Sequence, residues 1–212
     1  MYTQQFKQSL VVKTAKRLFI CLMTLALVGC GSPKLEPLKP GAVILAFGDS
    51  LTAGVGAETS HSYPSVLAAM TGFTVINAGI SGETTAQGLQ RFPDVLNQHA
   101  PDLVILIEGG NDILRNRSKE QAKSNLEQMI QLAMGRNIQV VLLGVPEKSL
   151  FSSSAPFYAE LAEKYNLAFD DETIGSLMRS PSMKSDAVHF NRAGYAEMAE
   201  QIYALLRDNG AF

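Results

Sequence analysis

From Ala42 onward, short runs of aliphatic and branched residues recur, separated by stretches of helical spacing. Ala42–Phe47 (AVILAF), Phe73–Asn77 (FTVIN), Asp102–Glu108 (DLVILIE), Ile138–Val145 (IQVVLLGV) and, more weakly, Asn166–Asp170 (NLAFD) read as five strands. The first, third and fourth are continuously apolar rather than alternating, as strands are when both sheet faces are covered. The segments between them read as helices. Ser118 is an N-cap with Gln121 three residues on, Ala122, Leu126, Met129, Ile130 and Ala133 follow at helical spacing, and Gly135 closes the run. Tyr63-Pro64 opens a shorter helix with proline in its first turn. Asn191 caps a last helix whose stripe of Tyr195, Ala199, Ile202 and Leu206 ends near Gly210. Strands alternating with helices predict the α/β class, a three-layer α/β/α sandwich around a parallel sheet. In such a sheet ligands bind beyond the carboxyl ends of the strands, so functional residues should follow strands, not precede them.

The N-terminus has a different character. Residues 1–29 hold Lys7, Lys13, Lys16 and Arg17 and no acid, and the rest of the chain carries 14 basic against 20 acidic residues. The apolar run Leu18–Val28 is eleven residues long, short of the roughly 20 that span a bilayer. A basic start followed by such a run is a targeting pattern. Leu27-Val28-Gly29-Cys30 resembles a bacterial lipobox, which implies cleavage before Cys30 and acylation of its thiol; an ordinary signal peptide cut after Gly31 is the alternative. Several acyl chains on one residue anchor stably, at about 0.8 kcal/mol per buried CH₂. The expected organisation is therefore a lipoprotein signal peptide (1–29), the lipidated Cys30 with the flexible tether GSPKLEPLKPG (together 30–41), and one folded domain (42–212). The expected location is the bacterial cell envelope, membrane-anchored through Cys30. Gly31 after the cysteine is compatible, by analogy with bacterial lipoproteins, with the outer membrane, facing the periplasm. Cys21 lies in the discarded segment, so the mature chain keeps one cysteine and can form neither an internal disulfide nor a cysteine metal site.

Apolar residues make up 46% of the chain and charged residues 18%, enough for a buried core and unlike a disordered chain. The formal charge is -2 with no basic block, so no surface is built to neutralise phosphates and nucleic acid is not an expected partner.

Polar motifs follow the strands where the crevice rule requires them. Gly48-Asp49-Ser50-Leu51 follows the first, Gly79-Ile80-Ser81-Gly82 the second and Gly109-Gly110-Asn111-Asp112 the third, while Asp186-Ala187-Val188-His189 precedes the last helix. A serine hydroxyl needs a base to become a nucleophile, histidine is the natural base near neutral pH, and the imidazole needs an acceptor to fix its tautomer. Asp186 lies three residues before His189, so one loop supplies both. The Ser50 and Gly82 backbone N–H groups and the Asn111 side-chain amide are candidate donors to an oxyanion. Taken singly each motif is ordinary turn chemistry. Together, GDSLTAG, NAGISGETT, GGND and DAVH resemble the four blocks of the SGNH (GDSL) hydrolase family, closest to its bacterial thioesterase I, lysophospholipase and arylesterase branch, over about residues 42–208.

That resemblance implies a flavodoxin-like parallel sheet of about five strands, a shallow site, no cofactor and no metal. It assigns Ser50 as nucleophile, His189 as base, Asp186 as the residue orienting it, and Ser50, Gly82 and Asn111 as the oxyanion hole. The implied function is a serine esterase acting on a small ester or lipid substrate: short-chain or aryl esters, acyl thioesters or lysophospholipids. An O-acetyl esterase of cell-envelope polysaccharide and a catalytically silent lipid- or partner-binding lipoprotein are the alternatives. The last block departs from the family's usual Asp-Gly-x-His-Pro, with Ala187 and Phe190 replacing the glycine and proline. The absence of G-x-S-x-G argues against an α/β-hydrolase elbow.

Other polar residues compete for roles. His99 precedes the third strand and belongs at the far end of the sheet; His61 lies near a helix start with Glu58 close by, at most a binding residue. Asp49 and Asp112 read as turn supports, and Glu108 as a structural partner at a buried strand's end. In the long connection after the fourth strand, Leu150 and Phe151 are candidates to line an acyl pocket.

Overall fold

The computed structural model of the protein describes residues 34–147 and 154–212. The signal segment, Cys30, Leu150 and Phe151 lie outside the described residues.

Five parallel strands form one sheet: β1 (Val43–Gly48), β2 (Thr74–Gly79), β3 (Leu103–Ile107), β4 (Gln139–Leu143) and β5 (Ala168–Asp170), in the spatial order β2-β1-β3-β4-β5. The helices are α1 (Ser50–Ala53), α2 (Tyr63–Thr71), α3 (Thr85–His99), α4 (Gly110–Leu114), α5 (Lys119–Met134), α6 (Pro156–Tyr165), α7 (Thr173–Arg179) and α8 (Arg192–Asp208). α2 packs on α8, while α3 and α6 both pack on α5, giving a helical layer on each side of the sheet. This is the three-layer α/β sandwich that the strand–helix alternation predicts.

Burial explains which runs were legible as strands. Every residue of β3 is buried, as are all but the first of β1 and β4, whereas the edge strand β2 is half exposed. Caps fall where the sequence places them. Ser118 Oγ accepts from the Gln121 N–H at 3.2 Å, and Asn191 Oδ1 accepts from the Gly194 N–H at 3.1 Å.

The segment expected to be a flexible tether up to Gly41 is, from Lys34 onward, fastened to the domain. Leu35 is 6% exposed and part of the core. Its N–H donates to Asn209 O at 3.0 Å, and the Leu38 N–H to Ala211 O at 2.7 Å. Glu36 and Gln139 bond reciprocally, backbone N–H to Oε1 at 2.6 Å and Nε2 to backbone O at 3.0 Å. Prolines keep the segment extended, but the residues between them still offer backbone donors and one leucine to bury, and the domain uses both. Among the described residues no helix is long and apolar enough to cross a membrane.

The strand order reverses direction at β1, so the connections leaving β1 and β3 diverge and open a crevice at the carboxyl ends of those strands. Two glycines let the chain segments close in around it. A Cβ on Gly79 would lie 2.1 Å from the Ala53 nitrogen, so only glycine allows the end of β2 to pass against α1. Gly82, at φ +80°, turns the following loop in the left-handed region that glycine adopts without strain.

Candidate active site

Ser50 is the first residue after Asp49, the N-cap of α1, and stands half-buried at the end of β1. His189 reaches it from a loop 139 residues away, with Nε2 at 3.0 Å from Ser50 Oγ. The other ring nitrogen, Nδ1, is 2.7 Å from Asp186 Oδ2.

Asp186 also shapes its own loop. Its Oδ1 accepts from the Val188 and His189 N–H groups, each at 2.8 Å. These bonds, led by the one to His189, hold its carboxyl down at about 2. The loop is closed at its base by an antiparallel bridge between Lys184 and Phe190. Asn191 Nδ2 donates to Ser182 O at 2.8 Å and to Lys184 O at 3.2 Å. Phe190 is fully buried edge-on against Tyr195, with ring centroids 5.6 Å apart. Tyr195 in turn donates to Val55 O at 2.7 Å, just beyond α1. Packing thus fixes the histidine loop relative to the serine turn without a proline.

Ser50, Gly82, Asn111 and His189 line one cavity of about 420 Å³. Its far wall is largely apolar, built from Ile113, Leu114, Val145, Gly175 and Met178, with Arg179 and Lys184 also lining it. Asn111 Nδ2 donates one hydrogen bond to Asp49 Oδ2 at 3.2 Å, which uses one of its two amide hydrogens. Arg115 Nη2 donates to Gly82 O at 3.0 Å and ties the loop after β2 to α4.

Of the competing residues, His61 faces Glu58 at 3.7 Å and does not line the cavity. His99 ends α3, on the side of the sheet where β3 begins. Asp49 Oδ1 accepts from the Leu51 N–H at 3.0 Å, the turn support expected of it, and its other oxygen holds Asn111. Asp112 supports a neighbour rather than its own turn, accepting from the Thr85 N–H at 2.8 Å and Thr85 Oγ1 at 3.0 Å.

Next to the cavity, which Asp49 itself lines, is a group of buried acids that the motifs only partly signal. Asp49, Glu83, Glu108 and Asp112 are each 5% exposed or less. Burial pushes the Asp49 carboxyl up to about 6, against the pull of its bonds to Leu51 and Asn111. Burial, reinforced by the charges of Asp49 and Glu83, pushes Glu108 well above the ordinary carboxylate range. Arg91 is the cation set among them. Its Nε lies 2.7 Å from Glu83 Oε1, and its Nη2 donates to Glu83 Oε2 at 2.5 Å and to Ala78 O at 2.8 Å. Its guanidinium stacks 3.9 Å from the Phe47 ring centroid. Neither Glu83 nor Arg91 stands out in the sequence: Glu83 follows Gly82 inside a block whose glycine draws the eye, and Arg91 lies mid-helix.

Comparison with known proteins agrees with this architecture. The model of the GDSL-like Lipase/Acylhydrolase family matches residues 46–197. An arylesterase of Vibrio mimicus is 34% identical over 181 residues, covering 80% of this chain and 89% of the relative. The thioesterase 1/protease 1/lysophospholipase L1 of Escherichia coli strain K12 is 31% identical over 157 residues, covering 70% of this chain and 76% of the relative. The crystal structure of TesA superimposes with a TM-score of 0.70 at 29% identity, covering 79% of this chain and 99% of that one.

Proposed function

The chain belongs to the GDSL-like lipase/acylhydrolase family and is an esterase of that family, and from that premise we propose a serine mechanism through an acyl-enzyme on Ser50. The observation that carries it is the continuous relay from Ser50 Oγ through both imidazole nitrogens to Asp186, at 3.0 and 2.7 Å, on the wall of the cavity.

Ser50 Oγ attacks the ester carbonyl carbon while its proton passes to His189 Nε2. The carbonyl oxygen becomes an oxyanion and takes hydrogen bonds from the Ser50 and Gly82 N–H groups and from the second amide hydrogen of Asn111, the first being held by Asp49. Collapse breaks the bond to the leaving alcohol or thiol, which takes the proton from His189. Water then enters, gives a proton to His189 and releases the acid, restoring the Ser50 hydroxyl. Asp186, held at about 2, stays ionised throughout and fixes the imidazole tautomer.

The substrates proposed are short-chain and aryl esters, with acyl thioesters and lysophospholipids as further members of the class. The names of the arylesterase and thioesterase/lysophospholipase relatives support this range, and so does an acyl-sized cavity with an apolar wall. Residues 1–29 are proposed as a lipoprotein signal and Cys30 as the acylated residue, which would anchor the enzyme in the bacterial cell envelope, at the outer membrane and facing the periplasm. Metabolic labelling with a palmitate analogue, lost in Cys30→Ser, is the expected result for that anchor; labelling retained in the variant contradicts it. The reaction is tested on p-nitrophenyl and thioester substrates of graded chain length. Hydrolysis that disappears in Ser50→Ala supports the proposal, and hydrolysis unchanged in that variant removes it.

A further inference from the structure

The buried acids next to the cavity are more than a structural residue of the fold. Glu83 directly follows Gly82, and Glu108 directly precedes Gly109-Gly110-Asn111, so each sits next to a segment carrying a proposed oxyanion donor. The Glu108 side chain is fully buried, and the Glu83 carboxyl lies within hydrogen-bonding reach of it. Glu108 Oε2 accepts from the Gly109 N–H at 3.2 Å, while Oε1 is buried and has no donor. The Arg91 guanidinium is already committed, because it forks onto Glu83 and onto the Ala78 carbonyl. The remaining groups around Glu108 do not supply a donor to Oε1. Both Asp49 oxygens accept, from the Leu51 N–H and the Asn111 amide, Asp112 accepts from Thr85, and the Tyr158 hydroxyl donates to the backbone oxygen of Glu108 at 2.7 Å.

Two ionised carboxylates facing each other in a dry site repel strongly when the guanidinium bonds only one of them, and a proton on the other relieves that cost. With a proton on Glu108, the orphaned oxygen becomes a donor to the acceptor that Arg91 holds in place. We infer that Glu108 is a positioning residue: it shares a proton with Glu83, and this carboxylic acid–carboxylate bond locks the loop bearing Gly82 to the loop bearing Asn111. The inference rests on the oxyanion-hole assignment proposed above. Arg91 extends the lock to the first loop, since it is braced on Phe47 of β1 and bonds the end of β2. The three connections that converge on the crevice are then joined by one proton and one guanidinium.

The sign of the pH dependence follows. Burial and the neighbouring carboxylates raise Glu108 well above its ordinary value, so the bond is complete below that ordinary value and is lost as pH rises through the elevated one. Above that point two anions repel each other beneath the oxyanion donors. Glutamine at 108 keeps an N–H donor to Glu83 and cannot ionise; leucine keeps the volume and removes the bond.

The experiment uses the full-length chain. Infrared difference spectra of wild type against Glu108→Gln at neutral pH should show a carboxylic-acid C=O stretch present only in the wild type. In parallel, kcat and KM for p-nitrophenyl acetate are measured from neutral to alkaline pH. Glu108→Leu should lose about tenfold in kcat with KM within about twofold, a fraction of the 10²–10³ that a missing donor costs. Glu108→Gln should hold kcat within about threefold and lack the wild type's alkaline decline in kcat. A wild type without the acid band, or Glu108→Leu at wild-type kcat, overturns the inference. If the leucine variant does not fold, the band and the alkaline limb of Glu108→Gln decide alone. A wild type that hydrolyses no ester would instead remove the proposed function, while the infrared band would still report on the proton.

Discussion

The Asp49 carboxylate accepts a hydrogen bond from the Asn111 side-chain amide at 3.2 Å across 62 positions of sequence, and so holds the amide proposed as an oxyanion donor from directly beside the serine. Asp49 is 4% exposed, and burial raises its carboxyl from 3.8 to about 6. A raised acid contributes stability that is complete below its ordinary pKa and lost as pH rises through the elevated one. At neutral pH the ionised Asp49 is therefore a standing cost of about 3 kcal/mol, at 1.36 kcal/mol for each pKa unit.

Asp49→Asn removes that ionisation. The variant should be more stable than wild type at pH 8, by up to about 3 kcal/mol, and its stability should change less between pH 7 and 5. Its kcat should fall, because a neutral acceptor holds Asn111 less firmly than a carboxylate does. Chemical denaturation at the two pH values, with kcat measured alongside, checks both directions.

Asp186 behaves oppositely. Its carboxyl is depressed to about 2, so its contribution is present above its ordinary value and is lost only as pH falls through about 2. Asp186→Asn can still accept from the Val188 and His189 N–H groups, and the loop should keep its form. It no longer fixes the imidazole tautomer by charge, and kcat should drop by about 10²–10³-fold, below the largest losses known for buried triad acids because Asp186 is half exposed. Steady-state kinetics with a thermal melt at neutral pH should show activity lost and Tm nearly unchanged.

Gly175 lies in α7 and lines the apolar wall of the cavity. Gly175→Leu places a side chain where a long acyl tail would run. The ratio of kcat/KM for p-nitrophenyl octanoate to that for acetate should fall by about tenfold or more, with the acetate value little changed. An unchanged ratio would mean that the acyl chain leaves the cavity by another route.

Leu35 fastens the extended N-terminal segment to the domain. Leu35→Ala should cost about 2 kcal/mol, at the low end for a buried leucine because the cavity opens near the surface. A urea titration should show a lower midpoint with an unchanged slope.

How much of this was legible from the amino acids alone varies by element and for physical reasons. β1, β3 and β4 declared themselves because both faces are covered and nearly every position is apolar. β5 read weakly because only three residues pair. Helix α3 is harder to read because Gly88 and Pro93 lie inside it. It stands because a Thr84–Gln87 capping box starts it, Asp112 holds its first residue, and Phe92 and Leu96 are buried. The site's motif residues were legible because turn chemistry after strands points to one rim of the sheet. Glu83 and Arg91 were not, since their partners are set by the meeting of three strand ends, which no local spacing encodes. The tether reading of residues 34–41 failed for a related reason: proline content reports an extended backbone but not whether a surface lies ready to receive it.

The most direct test of the account is covalent trapping of the serine that His189 contacts. Intact-mass spectra after incubation with a fluorophosphonate should show a single adduct, mapped to Ser50, absent in Ser50→Ala and formed far more slowly in His189→Ala. An adduct on another residue, or labelling at the wild-type rate in His189→Ala, would contradict the account.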